Sequence, residues 1–492
     1  MKNRSSHAVS LLTLLLALLM LSASAVSCAD TGTGSDDTSA QATAALTEAP
    51  ETSSIYDTDG YLLDKLPEKM SLGTDIALLY WSDVENPEFE ITEQGGEIVE
   101  DALYTRDVRV KERLGTDIVY SSTPGNNNNN AAFTTYVQNA VKGGETLDII
   151  AAYSMTTANI STLGLCENLL DYPVIDFSAP WWPSDLVSEA TINNKLFFSS
   201  GDISTNMLYM MYTVFFSKSL IEEYGLEDPY TLVSEGRWTF EKFMEMADAV
   251  VDTAGYGTDS YIYGFNVTSD VHIDPWFYGA GLRTVSRGEG GVPVLSDSWH
   301  SEQAENAVAR ANAFLHSQTS TIGSPDVFLQ DRSLFTMHRS VYAKNNLSGT
   351  DIDFGIAVTP KDSEEQENYA TCLAFPVSLY AICTASEHKN ESATLLEALA
   401  SQGYRTVTPA LFEISLKTKY AKDSETGKMF DLIRETVVFD LGRLYTTAFN
   451  KRTYQIFRSA MSNATYTSYL KQYNGEAKLL KSYLDKLLSC FE

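Results

Sequence analysis

Unbroken apolar runs and helical stripes alternate along this chain. A continuous apolar run over 75–81 predicts a strand buried on both faces. A stripe of Val99, Leu103, Val108 and Leu114 predicts a helix over 97–114, stopped by Gly115. The pattern repeats with a strand over 116–120, a helix over 133–141 stopped at Gly143-Gly144, and a second buried strand over 147–153. Strand, helix, strand, helix, strand implies βαβ units on a parallel sheet, and so an α/β fold. Further on, the run 208–216 predicts another buried strand, and Ser219 and Glu222 have the spacing of a capping box for a helix ending at Gly225. Stripes predict helices over 238–251 and 301–316, and strand character returns at 353–358 and 375–383. From Glu387 the chain reads as mostly helical, ending in a striped helix over 466–488. No internal repeat is present.

The first thirty residues have a different pattern. Lys2 and Arg4 precede an apolar stretch from Leu11 to Leu21, and small residues follow from Ser22 to Ala25. This is the form of a secretory signal peptide over 1–27, too short for a stable transmembrane helix. Its end, Ala25-Val26-Ser27-Cys28, resembles a bacterial lipobox, although Ala25 stands where Leu is usual. The resemblance implies a Cys28 carrying two acyl chains, enough to hold a protein at a membrane surface. Residues 28–69 are expected to serve as the lipidated cysteine and a linker. The stretch 29–55 has no aromatic residue and cannot bury enough apolar surface to order itself.

Composition narrows the partners. A net charge of −30, with no local basic patch, argues against nucleic acid. Cys28 aside, Cys166, Cys372, Cys383 and Cys490 allow three pairings. Cys372 and Cys383, in a strand–turn–strand region, are one candidate bridge, and four buried thiols are the alternative. No cysteine or histidine spacing suits a metal, and no cofactor motif is present.

The middle of the chain resembles a known family. Tyr212-Thr-Val-Phe-Phe-Ser-Lys-Ser-Leu-Ile-Glu-Glu-Tyr-Gly225 and Gly236-Arg-Trp-Thr-Phe-Glu-Lys-Phe243 look like the crossover of extracellular solute-binding proteins of ABC importers, carbohydrate type. Tyr263-Gly-Phe265 with Gly279-Ala-Gly281, Asp353-Phe-Gly-Ile-Ala-Val-Thr-Pro-Lys361, and Ile414 to Asp423 with Lys428 to Asp431 continue the series in order. Leu282 departs from a further glycine common there. The resemblance runs over about 70–490. It implies a two-lobed periplasmic-binding-protein-like fold with discontinuous lobes and a hinge, 70–210 and 350–386 forming lobe one, 211–349 and 387–492 lobe two. It also implies a monomer that is not an enzyme, lies lipid-anchored on the extracellular face of the bacterial cell membrane, and passes a sugar or oligosaccharide to an ABC permease.

Ligands of open α/β sheets sit beyond the carboxyl ends of the strands. Sugar rings present apolar C–H faces and hydroxyl rims, so aromatic platforms with polar neighbours suit them. Trp81 ends the first strand and is either a stacking platform or a cap over the sheet. Asp83 is either an acceptor for sugar hydroxyls or a loop acid, and Tyr153 stands at the same rim. From the other lobe the resemblance adds Trp276, in Asp274-Pro-Trp276, and Arg339. His272 reads as a loop histidine, and Trp181-Trp182, bracketed by prolines, as a pair that packs a loop onto its own lobe. A surface glycan-active enzyme, a binder of peptides or another solute, and an adhesin or sensory partner are the rival readings. Nothing supports the first beyond chance pairs of carboxylates, since no nucleophile elbow, phosphate loop or zinc motif occurs.

Overall fold

The computed structural model describes residues 55–323, 326–413 and 424–492. The leader, Cys28, the first part of the linker and the 414–423 motif lie outside the described residues. Nine strands carry the architecture: β1 (Ile76–Trp81), β2 (Ile118–Thr123), β3 (Ile149–Tyr153), β4 (Tyr212–Ser217), β5 (Tyr263–Val267), β6 (Ser320–Ile322), β7 (Ser333–Arg339), β8 (Phe354–Ala357) and β9 (Ser378–Ile382). They form a four-stranded sheet of order β9-β3-β1-β2 and a five-stranded sheet of order β8-β4-β7-β5-β6.

In the first sheet β1 runs parallel to β2 and to β3, as the alternation of patterns predicts. The edge strand β9 is antiparallel and sets Ser378 opposite Tyr153. Helix α1 (Ile98–Leu114) ends on Gly115, left-handed at φ 53°, whose N–H donates to Lys111 O. Helix α2 (Asn130–Gly143), capped by Gly144, packs against α3 (Ser154–Ser161).

The second sheet differs from the sequence expectation in three ways. The apolar run 208–216 is not one strand: Asn206–Tyr209 is a helical turn, and β4 starts at Tyr212. Asn206 pins this turn by donating to buried Glu88 at 2.6 Å. The cap of the next helix is Ser217, which accepts from Leu220 N at 3.1 Å, while Ser219 bonds Asp331. Finally, β8 pairs antiparallel with β4, so 354–357 belongs to this sheet and not with lobe one. Gly355 makes that pairing possible, because a Cβ there would lie 2.1 Å from the ring of Phe216.

The core of this sheet is aromatic. Phe243 of α4 (Phe240–Ala249) stacks on Phe335 at 4.5 Å, and Phe240 stacks on Trp276 at 4.6 Å. Three helices, α5 (Glu302–Leu315), α7 (Arg452–Ser462) and α8 (Tyr469–Ser489), pack together beside it. Helix α6 (Lys389–Thr408) packs on α1 of the first sheet instead, which corrects its expected place in lobe two. Gly403 lets α6 approach closely, its missing Cβ leaving room for Asp202 O. Strand order and helix docking are long-range facts that no local pattern encodes.

Trp181 and Trp182 are both buried and fix the 176–183 loop against α6, as expected. The Trp182 indole donates to Glu397 Oε2 at 2.9 Å. Burial raises the Glu397 carboxyl to about 7, against the pull of that hydrogen bond. An acid with a raised folded pKa destabilises the native state once pH passes its unfolded value near 4.5. Stability from this group therefore falls as pH rises from there to about 7, by roughly 3 kcal/mol at 1.36 kcal/mol per unit. Chemical denaturation at pH 5 and pH 8 should show that Glu397→Gln flattens the difference. An unaltered pH dependence in the variant would remove Glu397 as its source.

Candidate functional site

The carboxyl ends of β1 and β3 lie near the start of β4 and the end of β7, and a cluster of buried polar groups lies along this seam. Its centre is Asp274, fully buried and held by two arginines. Arg458 Nε donates to Oδ1 at 2.7 Å and Nη2 to Oδ2 at 2.6 Å, while Arg443 Nη1 reaches Oδ2 at 3.0 Å. Burial opposes the charge on Asp274, but the two guanidinium groups prevail and hold its carboxyl below the ordinary range. Arg443 also lies 3.8 Å over the ring of Phe375 and donates Nε to Leu373 O, which leaves its buried Nη2 unpartnered among the described residues. Arg458 lies 4.3 Å over Tyr454. Such stacking is a use to which the planar guanidinium is suited.

Closer to the rim, Arg339 at the end of β7 donates Nη1 to Glu85 Oε2, from the loop after β1, at 2.5 Å. This ion pair links the two sheets, and Lys451, at the start of α7, donates to Asn127 Oδ1 of the loop after β2 at 2.7 Å. His272 and His338 face each other with ring centres 3.9 Å apart. Burial, with Arg339 beside it, pushes His272 down to about 3, so it stays neutral at neutral pH. A polar hollow of about 330 Å³ opens beside this cluster, lined by Asp270, Arg452, Tyr454, Gln455 and Arg458 among others. A second, of about 230 Å³, lies between Pro183, Asp202, Met211 and Phe439. No group of His, Cys, Asp and Glu that could hold a metal occurs among the described residues.

The residues expected from sequence fall into two groups. Tyr153 and Arg339 are at the seam. Tyr153 is nearly buried, its hydroxyl lies among Arg443, Glu85, Tyr212 and Tyr454, and burial raises its pKa. Trp81, Asp83 and Trp276 have other duties. Trp81 is fully buried, meets Tyr153 edge-on at 5.4 Å and donates its indole N–H to Ser378 Oγ at 2.9 Å, so it caps the first sheet and offers no face to a ligand. Asp83 spends its carboxylate on the 125–129 loop, accepting from Gly125 N at 2.8 Å, Asn126 N at 3.1 Å and Asn129 Nδ2 at 2.9 Å. Trp276 belongs to the aromatic core of the second sheet. Asp274, Arg443, Arg458, Glu85 and Tyr454 also lie at the seam and are not among the residues expected from sequence. Asp274 lies in the same Asp274-Pro-Trp276 motif as the expected Trp276. Arg443 and Arg458 carry no local signal, because their partner is about 170–180 positions away.

No family model matches the chain, and no curated protein sequence matches it. Solved structures do. The galacto-N-biose/lacto-N-biose I-binding protein of the ABC transporter of Bifidobacterium longum, in complex with lacto-N-biose, superposes with a TM-score of 0.55 at 14% identity, covering 86% of this chain and 98% of that one. This chain has the solute-binding-protein fold of ABC transporters. A cyclic α-maltosyl-1,6-maltose binding protein from Arthrobacter globiformis matches with a TM-score of 0.55 at 13% identity, covering 85% of this chain and 97% of that one. The UgpB protein of Mycobacterium tuberculosis, in complex with glycerophosphocholine, matches with a TM-score of 0.55 at 11% identity, over 84% of this chain and 98% of that one. The α/β, two-lobed periplasmic-binding-protein-like class expected from sequence is therefore the fold observed. Among the described residues of this solute-binding-protein fold, no helix is long and apolar enough to cross a membrane.

Proposed function

We propose that this protein is a non-catalytic carrier that captures a sugar or oligosaccharide between its two sheets and passes it to an ABC permease. The observation that carries this reading is the convergence of polar and aromatic groups from both sheets on one seam, in a fold whose solved relatives include proteins bound to lacto-N-biose and cyclic maltosyl-maltose. Each sheet with its helices forms one lobe, and the stretches that cross between the sheets act as the hinge. Ligand bound by both rims favours the closed form by its differential affinity. Tyr153, Arg339, Glu85 and Tyr454 face the ligand, while Trp81 and Trp276 stiffen the lobes behind it. Cys28, diacylated, anchors the chain on the extracellular face of the membrane, and the body works as a monomer.

A glycan array probed with residues 56–492 tests the ligand class. Binding confined to carbohydrates is the expected result. A second reading, capture of a phosphodiester-type solute, has support in the relative bound to glycerophosphocholine and in the three arginines of the seam. An empty array with a thermal shift from glycerophosphocholine would favour it over the first. For the glycan that the array selects, Arg339→Met should weaken binding by about 1–3 kcal/mol, the worth of hydrogen bonds from a charged donor. Equal calorimetric affinity in variant and wild type would place Arg339 outside the site.

A further inference from the structure

Cys383 follows directly on the edge strand β9, and a short bridge sets it opposite Cys166 rather than Cys372. The backbone bonds that define this bridge flank the pair: Glu167 N–H donates to Ile382 O at 2.9 Å and Thr384 N–H to Leu165 O at 3.0 Å. The two cysteines themselves are thus a non-hydrogen-bonded antiparallel pair, the closer of the two kinds, with side chains on the same face. In that arrangement Cα atoms approach to about 4.5 Å, inside the range of roughly 4.4–6.8 Å that a disulfide spans. Both are buried, and both are thiols in this structure. Cys372 sits elsewhere, in a two-residue ribbon with Val438, and Cys490 is near the C-terminus.

We propose that Cys166 and Cys383 are a disulfide site, oxidised during folding by a small-molecule disulfide or a disulfide oxidoreductase. The Cys166 thiolate attacks the oxidant's disulfide and forms a mixed disulfide, releasing one thiolate of the oxidant. The Cys383 thiolate then attacks Sγ of Cys166, the new S–S bond forms, and the second thiolate leaves. The two protons lost by the cysteines end on the two released thiols, so two thiols are oxidised and one disulfide is reduced. Burial raises the pKa of both cysteines, so folded thiols are poor nucleophiles and the exchange belongs to the open chain. The bond would have a definite mechanical role. The second sheet, from Tyr212 to Ala357, lies between the two cysteines in sequence, so the bond closes a loop of chain that contains it. It restricts the unfolded chain without touching the seam.

The test is refolding of the reduced, full-length protein in a buffer of reduced and oxidised glutathione, followed by acid quench, alkylation under denaturing conditions and peptide mapping. A peptide pair joined through Cys166 and Cys383 is expected as the main linked species, and it should persist in Cys372→Ser. Reductant should lower the melting temperature of the oxidised wild type and have no effect on Cys383→Ser. Full alkylation of Cys166 and Cys383 in correctly refolded wild type overturns the proposal, and so does a Cys372–Cys383 link. Because the mapping uses the wild-type chain, a variant that folds poorly does not decide the outcome.

Discussion

Asp274→Asn is expected to cost about 3–5 kcal/mol of folding stability, the usual result of removing one partner from a buried ionic cluster. The amide keeps the size of the side chain but leaves Arg443 and Arg458 facing each other without the carboxylate that both contact within 3.0 Å. Neither arginine can release its proton and both are largely buried, so the loss is larger than three hydrogen bonds would suggest. The pH dependence gives a second check. The Asp274 carboxyl is held below its ordinary range in the fold, so its contribution is present above the unfolded pKa and is lost as pH falls through the folded one. Denaturant midpoints of wild type and variant should lie far apart at neutral pH and converge in acid. A variant within 1 kcal/mol of wild type at pH 7 would mean that the cluster is not a structural unit.

Trp276→Ala should cost a similar amount, about 3–5 kcal/mol, because it empties a packed aromatic site. The ring is stacked on Phe240 and touches Phe243, Phe265 and Phe314, all in the interior of the second sheet. Trp276→Phe should be far milder. It keeps much of the ring volume and removes an indole N–H that is buried with no partner among the described residues. Calorimetry on Trp276→Phe should then find ligand affinity within about twofold of wild type, the difference expected of a residue outside the site. A tenfold loss of affinity with unchanged stability would return Trp276 to the binding surface.

Strands β1 and β3 were legible because both are largely buried on both faces, which turns them into continuous apolar runs, whereas β2 at the sheet edge is mostly exposed. Helix ends were legible where glycine is needed at positive φ, at Gly115 and Gly144. The second sheet was less so. Strand β5, Tyr-Gly-Phe-Asn-Val, contains a glycine and an asparagine and has neither an alternating nor an unbroken pattern, while β7 mixes Ser, Thr, His and Arg with its apolar residues. The uses of the expected aromatic residues were not legible for a related reason. Aromatic residues at strand ends suit a sugar, but the same positions cap a sheet, and only the tertiary fold separates the two uses. Trp81 finds Ser378 and Trp276 finds Phe240, contacts that no spacing reveals.

In the proposed function a carbohydrate is held between the two sheets and released unchanged. Isothermal titration calorimetry of the body, residues 56–492, with the oligosaccharide chosen by the array tests it most directly. One saturable binding event per chain, with no continuing heat and the sugar recovered intact, is the predicted result. Absence of binding across the carbohydrate panel, or a sustained heat flow accompanied by cleaved sugar, would contradict it.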